Sequence, residues 1–320
     1  MPRIFKKEIN FLGHRRIYFI ISIVLVLASL IILPVRGLNF GIEFVGGSSM
    51  NFNSTGDVSI EQMRQAFSDA GINDAIVQTT VDASTGDPGF IVRIPTTDAA
   101  AASATADKVA SDFSWPQDSY EVNTIDSSWG TTVTQKSVIA FLVAIALIIV
   151  YIAIRFEYKM GISAVISLLQ SLIIIIGIYA ATGREVTPNV IAALLTIMGY
   201  SLYDAVVVFH RINDNIKNTA RHSFMTVANH SINQVIVRSI NTTIVTLVPV
   251  LAMLFFGGST LRDFAFAMSI GLVLGPLSSI GIATPIYAIW KQREPKYKKL
   301  VSKYGEGLDE FTATEQLGGD

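Results

Sequence analysis

Residues 137–154 read SVIAFLVAIALIIVYIAI, residues 155–159 read RFEYK, and residues 160–182 read MGISAVISLLQSLIIIIGIYAAT. Crossing a bilayer takes about 20 apolar residues in a helix, because the hydrocarbon layer offers no water to an unpaired backbone. Two apolar runs of helix length, joined by a short charged turn, therefore read as a pair of membrane spans. Four further runs qualify, at 17–35, 188–210, 238–258 and 264–290. Composition agrees: of 320 residues 51% are hydrophobic and 15% charged, against about 25% charged in soluble proteins. There is no cysteine, which excludes a disulfide framework and a Cys-ligated metal site.

The first run could be mistaken for a cleaved export signal. It holds 19 residues, longer than a signal core of about 7–15, and Pro34-Val35-Arg36-Gly37 is not a small-residue cleavage site. We expect it to be retained as the first span.

Orientation follows from Lys and Arg in the short connections. Five (Arg3, Lys6, Lys7, Arg15, Arg16) precede the first span. Arg155 and Lys159 lie between spans two and three, and Arg211, Lys217 and Arg221 between spans four and five. Lys291, Arg293, Lys296, Lys298, Lys299 and Lys303 follow the last span. With six spans these all fall on one side, and the two short opposite connections hold little, Arg184 in one and Arg262 in the other. We expect a multi-pass protein of the bacterial cytoplasmic (inner) membrane. Its expected parts are a cytoplasmic N-terminus (1–16), a first span (17–36), an extracytoplasmic domain (37–135), spans two to six (136–290) and a cytoplasmic tail (291–320).

The 37–135 insert has three basic and thirteen acidic residues, which reads as a soluble surface. Its pattern is β-α-β-β-α-β: a strand at 48–54, a helix after Ser59 with Gln62 as capping partner and Gly71 as stop, and a strand at 75–81. A Gly86-Asp87-Pro88-Gly89 turn leads to a strand at 90–94. A helix capped by Thr97 or Asp98 runs to about Phe113, and a strand at 119–125 closes the unit. The expected fold class is a membrane all-α bundle of six transmembrane helices with one extracytoplasmic α+β domain, ferredoxin-like, between the first and second.

Asp204 is the one charge well inside the six spans as read. An ionisable group in a span is costly and points to function. Thr196, Tyr200 and Asp204 share a helix face, with Ser201 beside it and Tyr203 preceding the acid. Arg238, at the start of the fifth span and followed by Asn241, Thr242 and Thr246, is the natural partner. Burial and a nearby cation pull the acid's proton affinity in opposite senses. We favour proton or ion handling over a static ion pair. An unperturbed histidine titrates near neutrality; the plain reading of His210 is an interfacial residue and its functional one a proton entry point. Gly and Pro in the fifth and sixth spans (Pro249, Gly271, Gly275-Pro276, Gly281, Pro285) suit close packing and local kinks. The glycine-rich run 37–47 lacks the Lys-Ser/Thr of a phosphate loop and reads as a structural turn.

Four stretches together resemble the SecF family, within the resistance-nodulation-division superfamily. They are RGLNFGIEFVGG (36–47), IRFEYK (154–159), AALLTIMGYSLYD (192–204) with VVVFHRINDN (206–215), and SINQ (231–234) with RSINTT (238–243) and FFGG (255–258). The match covers about residues 9–290. Gly37, Asn39, Gly41, Glu43, Gly46 and Gly47 fall on its glycine motif, and Asp204 and Arg238 fall on its membrane carboxylate and partner arginine. The resemblance implies a subunit acting with SecD and the SecYEG channel, with YajC as a further associate, using the proton-motive force to draw unfolded exported polypeptides outward. The chain departs from the family at Tyr203 (usually Asn), His210 (Asp), Glu43 (Asp) and Gln170-Ser171 (a His-Asp pair). The last weakens any second proton relay here.

A proton-coupled efflux transporter of the same superfamily is the alternative. Such transporters commonly carry two halves and two outer domains in one chain, against one of each here. An intramembrane aspartyl protease needs two carboxylates at one site, and these spans as read hold one. There is also no HExxH. We expect no enzyme activity, no metal, no cofactor and no nucleic-acid partner.

Overall fold

The computed structural model describes residues 8–53, 58–81, 88–116, 119–218 and 222–304. Arg3, Lys6, Lys7, Arg221, the Gly86-Asp87 half of the turn and the tail beyond residue 304 lie outside the described residues. Among those described, six helical stretches are long and apolar enough to cross a membrane: Leu12–Arg36, Ser127–Ile152, Tyr158–Thr182, Pro188–Lys217, Phe224–Phe256 and Leu261–Gln292. The chain is a multi-pass membrane protein.

A 3-10 turn, Leu12–His14, leads into α1 (Arg15–Arg36). A short strand β1 (Asn39–Phe40) and a one-turn helix α2 (Ile42–Val45) follow. The sheet unit comes next: β2 (Gly47–Phe52), α3 (Ile60–Asp69), β3 (Ile76–Val81), β4 (Pro88–Ile94), α4 (Ala99–Asp112) and β5 (Tyr120–Ile125). Its strands lie in the order β3-β4-β2-β5, every neighbouring pair antiparallel. Met50 and Phe52 of β2 alternate inward and meet Met63 and Phe67 of α3, Val92 of β4 and Val109 of α4. The capping box forms as read: Gln62 N donates to Ser59 Oγ at 3.3 Å and Ser59 N to Gln62 Oε1 at 2.8 Å. Of the two candidate caps for α4, Asp98 holds the position, accepting from Ala100 N at 2.9 Å.

The glycine-rich run does more than turn. Its β1 pairs in parallel with β6 (Glu185–Val186), Asn39 opposite Glu185 and Phe40 opposite Val186. Gly46 (φ +78°) and Gly47 (φ +119°) adopt backbone that L side chains rarely take. A Cβ at Gly46 would lie 2.7 Å from Ser127 Cα, and one at Gly47 2.6 Å from the Ile94 carbonyl. The double glycine therefore lets the chain enter β2 between the start of the second membrane helix and the end of β4.

The remaining elements are α5 (Ser127–Arg155), α6 (Tyr158–Thr182), α7 (Pro188–Asn218), α8 (Phe224–Phe256), α9 (Ser259–Ser278), a π-helical segment Ser279–Ala283, α10 (Thr284–Gln292) and α11 (Pro295–Tyr304). Three correct the sequence reading. The second membrane helix begins at Ser127, ten residues before 137, where Asp126 caps it by accepting from Ser128 N at 2.8 Å. The fifth begins at Phe224, behind the Ser223 cap, well before 238. The sixth is α9 and α10 joined through the π segment, with Pro276 inside α9 and Pro285 at the start of α10. Polar first turns hid these starts, since hydropathy reports what surrounds a helix and not where its hydrogen bonds begin.

In the bundle, 56% of the α6 apolar window is buried, against 6% for α1, none for α5 and 11% for α8. Helices α6, α7, α9 and α10 are thus the centre, and α1, α5 and α8 the flanks. Two glycines set close approaches: a Cβ at Gly177 would collide with Ser29 of α1, and one at Gly271 with Ile197 of α7.

Candidate functional site

Helical spacing on α7 aims Ser201 and Asp204 into the bundle, where they are 3% and 6% exposed. The Asp204 carboxylate accepts from the Ser239 hydroxyl of α8 through Oδ1, while Oδ2 is buried with no partner among the described residues. Tyr200, one turn earlier, shares a hydrogen bond with Thr243 Oγ1 at 3.0 Å. Thr196 bonds its own helix, donating to the Ala192 carbonyl at 2.8 Å.

The π segment closes the other side. Ser279 Oγ donates to the Ser201 carbonyl at 3.5 Å and to the Gly275 carbonyl at 3.0 Å. The Thr284 hydroxyl donates to the Ser279 carbonyl at 2.8 Å. Beside it, Ser278 shares a 2.7 Å hydrogen bond with Ser171 of α6. Ser171 is half of the pair that departs from the family pattern, so a neutral hydroxyl contact stands there. Gln170 keeps its amide oxygen buried without a partner among the described residues.

Arg238 sits differently from the expectation. It lies inside α8, four turns from the helix start, and is exposed on the outer face. Its guanidinium donates to the Tyr203 hydroxyl at 2.8 Å, and among the described residues it forms no ion pair with Asp204. The reason is register: Ser239 faces the bundle, so Arg238 and Tyr203 are turned outward together. Asn241 and Thr242 share that exposed face. His210 is exposed, six residues beyond Asp204 or about 9 Å along the helix, with its ring edge-on to Phe156 at 5.3 Å.

The longer helices also bring two further carboxylates inside the span limits, both in end turns: Asp214 of α7 and Asp263 of α9. Neither lies well inside its span, so among the described residues Asp204 remains the carboxylate that does. Asp263 lies 3.5 Å from Arg184, whose guanidinium is 4.1 Å from the centre of the Phe266 ring.

A second polar centre, missed in the sequence, joins the sheet unit to the bundle. Arg93 of β4 is 5% exposed. Its Nη1 donates to Asn39 Oδ1 at 3.2 Å and the Phe40 carbonyl at 3.1 Å, and lies 3.2 Å from Glu185 Oε1. Burial pushes the Glu185 carboxyl up to about 7; Arg93 pulls it down, and Glu43 and Asp263 add to the rise. A Cβ at Gly41 would run into both Glu43 and Glu185, so that glycine makes room for two converging carboxylates. Asn39 also donates to the Gly183 carbonyl at 3.1 Å, and Arg36 to the Ala181 carbonyl at 2.6 Å. A Cβ at Gly37 (φ +70°) would meet nothing within 4 Å among the described residues, so backbone conformation alone favours glycine there. Parallel pairing of β1 with a distant two-residue strand leaves no periodicity to read, which is why the centre was invisible.

Residues 105–293 match the family described as protein export membrane protein SecD/SecF, C-terminal, and residues 31–53 match the SecD/SecF GG motif. The chain is 36% identical over 299 residues to the protein translocase subunit SecF of Streptomyces coelicolor, covering 91% of this chain and 79% of that one. It is 34% identical to SecF of Alicyclobacillus acidocaldarius, covering 91% and 96%. It is 32% identical to SecDF of Thermus thermophilus, covering 89% of this chain and 39% of that one. A crystal structure of SecDF from Thermus, a translocon-associated membrane protein, superposes with a TM-score of 0.79 at 29% identity. That superposition covers 90% of this chain and 39% of the SecDF chain.

Proposed function

Because the chain belongs to the SecD/SecF family of protein-export membrane proteins, with an accessory role in Sec export, we propose that it uses the proton-motive force to help move exported polypeptides. The observation that carries this is Asp204: a carboxylate inside the bundle with one oxygen on Ser239 and the other without a partner among the described residues. A buried carboxylate so placed gains little from staying ionised and is poised to take a proton. The α7–α8 contact and the π segment around it supply an element able to rearrange when it does. Arg238 and Tyr203 contribute from the outer face, with Asn241 and Thr242 beside them. Tyr200 and Ser201 hold the α7 register, and His210 lies toward the helix end, where a proton could enter.

The strand order β3-β4-β2-β5 with its two helices supports reading the sheet unit as a ferredoxin-like domain. We place it outside the cytoplasmic membrane, with both termini inside, on the distribution of basic residues. The chain acts with SecD: relatives named SecDF carry both names in one polypeptide. The SecYEG channel is the proposed site of action, with YajC as a further associate and an unfolded exported chain as cargo. The role is mechanical and not enzymatic. Asp214 lies ten residues beyond Asp204 on α7, about 15 Å, and Asp263 sixteen residues before Ser279, which bonds the Ser201 carbonyl, about 24 Å; both spacings support reading Asp204 as set apart and not half of a catalytic pair.

The test is export into vesicles driven by an imposed proton gradient, at matched protein levels. Asp204→Asn should lose the gradient-dependent part while still assembling with SecD. Normal gradient-driven export by this variant would refute the reading.

A further inference from the structure

We propose that the end of the bundle where α1 begins and α10 ends holds a site for an anionic phospholipid. An open cavity of about 420 Å³ lies there between α1, α8, α10 and α11. Its apolar wall is Met225, Ile289 and Val301, and its charged rim is Arg15, Arg293 and Lys298. Among the described residues, no carboxylate lines it. Three cations around one cavity repel one another, and an anion between them reverses that.

Nearby acids do not serve. Glu294 is taken by Lys159 at 2.7 Å and Lys291 at 3.1 Å, and Glu157 by Lys291 at 2.5 Å. Glu8 is held by His230 at 2.5 Å. Among the described residues, the side chains of Arg293 and Lys298 make no hydrogen bond or ion pair, and that of Arg15 makes one bond, to the Leu12 carbonyl at 3.3 Å. The remaining lining residue, Gln292, carries a buried amide oxygen with no donor among the described residues. It is placed to take a headgroup hydroxyl.

A free phosphate ion would satisfy the cations and leave the apolar wall unused. A phospholipid uses both. Directly beyond Arg15 on α1, Ile17, Ile20 and Ile21 are exposed and offer a track for an acyl chain. Tyr158 and Trp290, rings 5.9 Å apart at the same end, have the aromatic character of a membrane interface. Basic pockets between helix ends at that level take anionic headgroups. The α11 helix forms one wall, anchored by Tyr297 against Phe224 at 5.1 Å.

The test titrates the purified full-length chain in detergent with phosphatidylglycerol, then with phosphatidylcholine of the same acyl chains, and reads bound lipid by native mass spectrometry. Phosphatidylglycerol should bind preferentially. At about 1 kcal/mol per basic residue, Arg293→Gln should weaken it about fivefold, and the triple variant R15Q/R293Q/K298Q should abolish the preference. A charge-matched control, R16Q/K296Q/K299Q, alters exposed residues outside the cavity and should keep it. Equal loss in both triple variants, no preference in the unaltered chain, or displacement of the lipid by millimolar inorganic phosphate would each overturn the proposal. Should the triple variant fail to fold, Arg293→Gln against Lys299→Gln makes the same comparison with one charge each.

Discussion

Among the described residues the hydrogen-bond partner of Asp204 is the Ser239 hydroxyl and not the neighbouring Arg238. This changes which substitutions should matter. Ser239→Ala removes the only hydrogen bond the carboxylate makes among the described residues, a contact to a charged group worth about 1.5–3 kcal/mol. We expect reduced gradient-driven export and a lower melting temperature, with Ser239→Thr rescuing both; unchanged export in Ser239→Ala at matched abundance would remove Ser239 from the site. Tyr203→Phe should mimic Arg238→Ala, because each breaks the same 2.8 Å bond on the outer face. Asp204 was legible because a charge in an apolar helix has no ordinary place there. Ser239 was not, since a serine within a membrane helix commonly bonds its own backbone and carries no cost that demands a partner.

At the scale of elements, the β1–β6 junction sets a pH dependence. Glu185 has an ordinary value of 4.5 and stands at about 7 in the folded chain. A carboxyl raised on folding binds its proton more tightly in the native state, so stability is fully present below 4.5 and declines as pH rises toward 7. Across that window the docked junction should lose about 3 kcal/mol. Hydrogen exchange at Gly41, whose amide bonds the Val186 carbonyl at 3.0 Å, should be better protected relative to its intrinsic rate at pH 5 than at pH 8. Glu185→Gln should flatten that difference; a profile unchanged by the substitution would assign the effect to another group. Within the sheet unit, Ser59→Ala removes one side of the capping box and should cost about 1 kcal/mol in thermal denaturation. The sheet elements were legible almost to the residue because caps and turns are local chemistry. The long membrane helices were legible in number and not in length: α8 extends fourteen residues before the apolar run as read. Its early turns are buried against the chain's own N-terminal segment, Asn229 donating to the Ile9 carbonyl at 3.1 Å, and so owe nothing to lipid.

At the scale of the whole molecule, the flanks are the informative surfaces. The outer face of α8 exposes Ile244, Val245 and Val248, as lipid contact requires, yet places Arg238, Asn241 and Thr242 among them, with Tyr203 of α7 bonded to Arg238. A guanidinium facing hydrocarbon is costly, and such groups instead face protein or a wet cavity. Helix α1 has no comparable polar group along its middle: Ile20, Ile23, Val24 and Leu27 are exposed there. The two faces should therefore meet different neighbours, a second subunit on α8 and lipid on α1. Single cysteines test this directly, since the chain has none of its own. With a SecD-type chain co-expressed, a photoactivatable crosslinker on Thr242→Cys should capture it in high yield, and one on Ile20→Cys should label lipid. The same labelling orients the bundle: Ser103→Cys on α4 should react from outside intact cells and Lys299→Cys on α11 only after permeabilisation. Capture of the SecD-type chain from Ile20 and not from Thr242 would place the partner on the opposite flank. The polar patch around Arg238 would then have to be solvated from within this chain, and the α7–α8 contact beneath it would be closed by lipid alone.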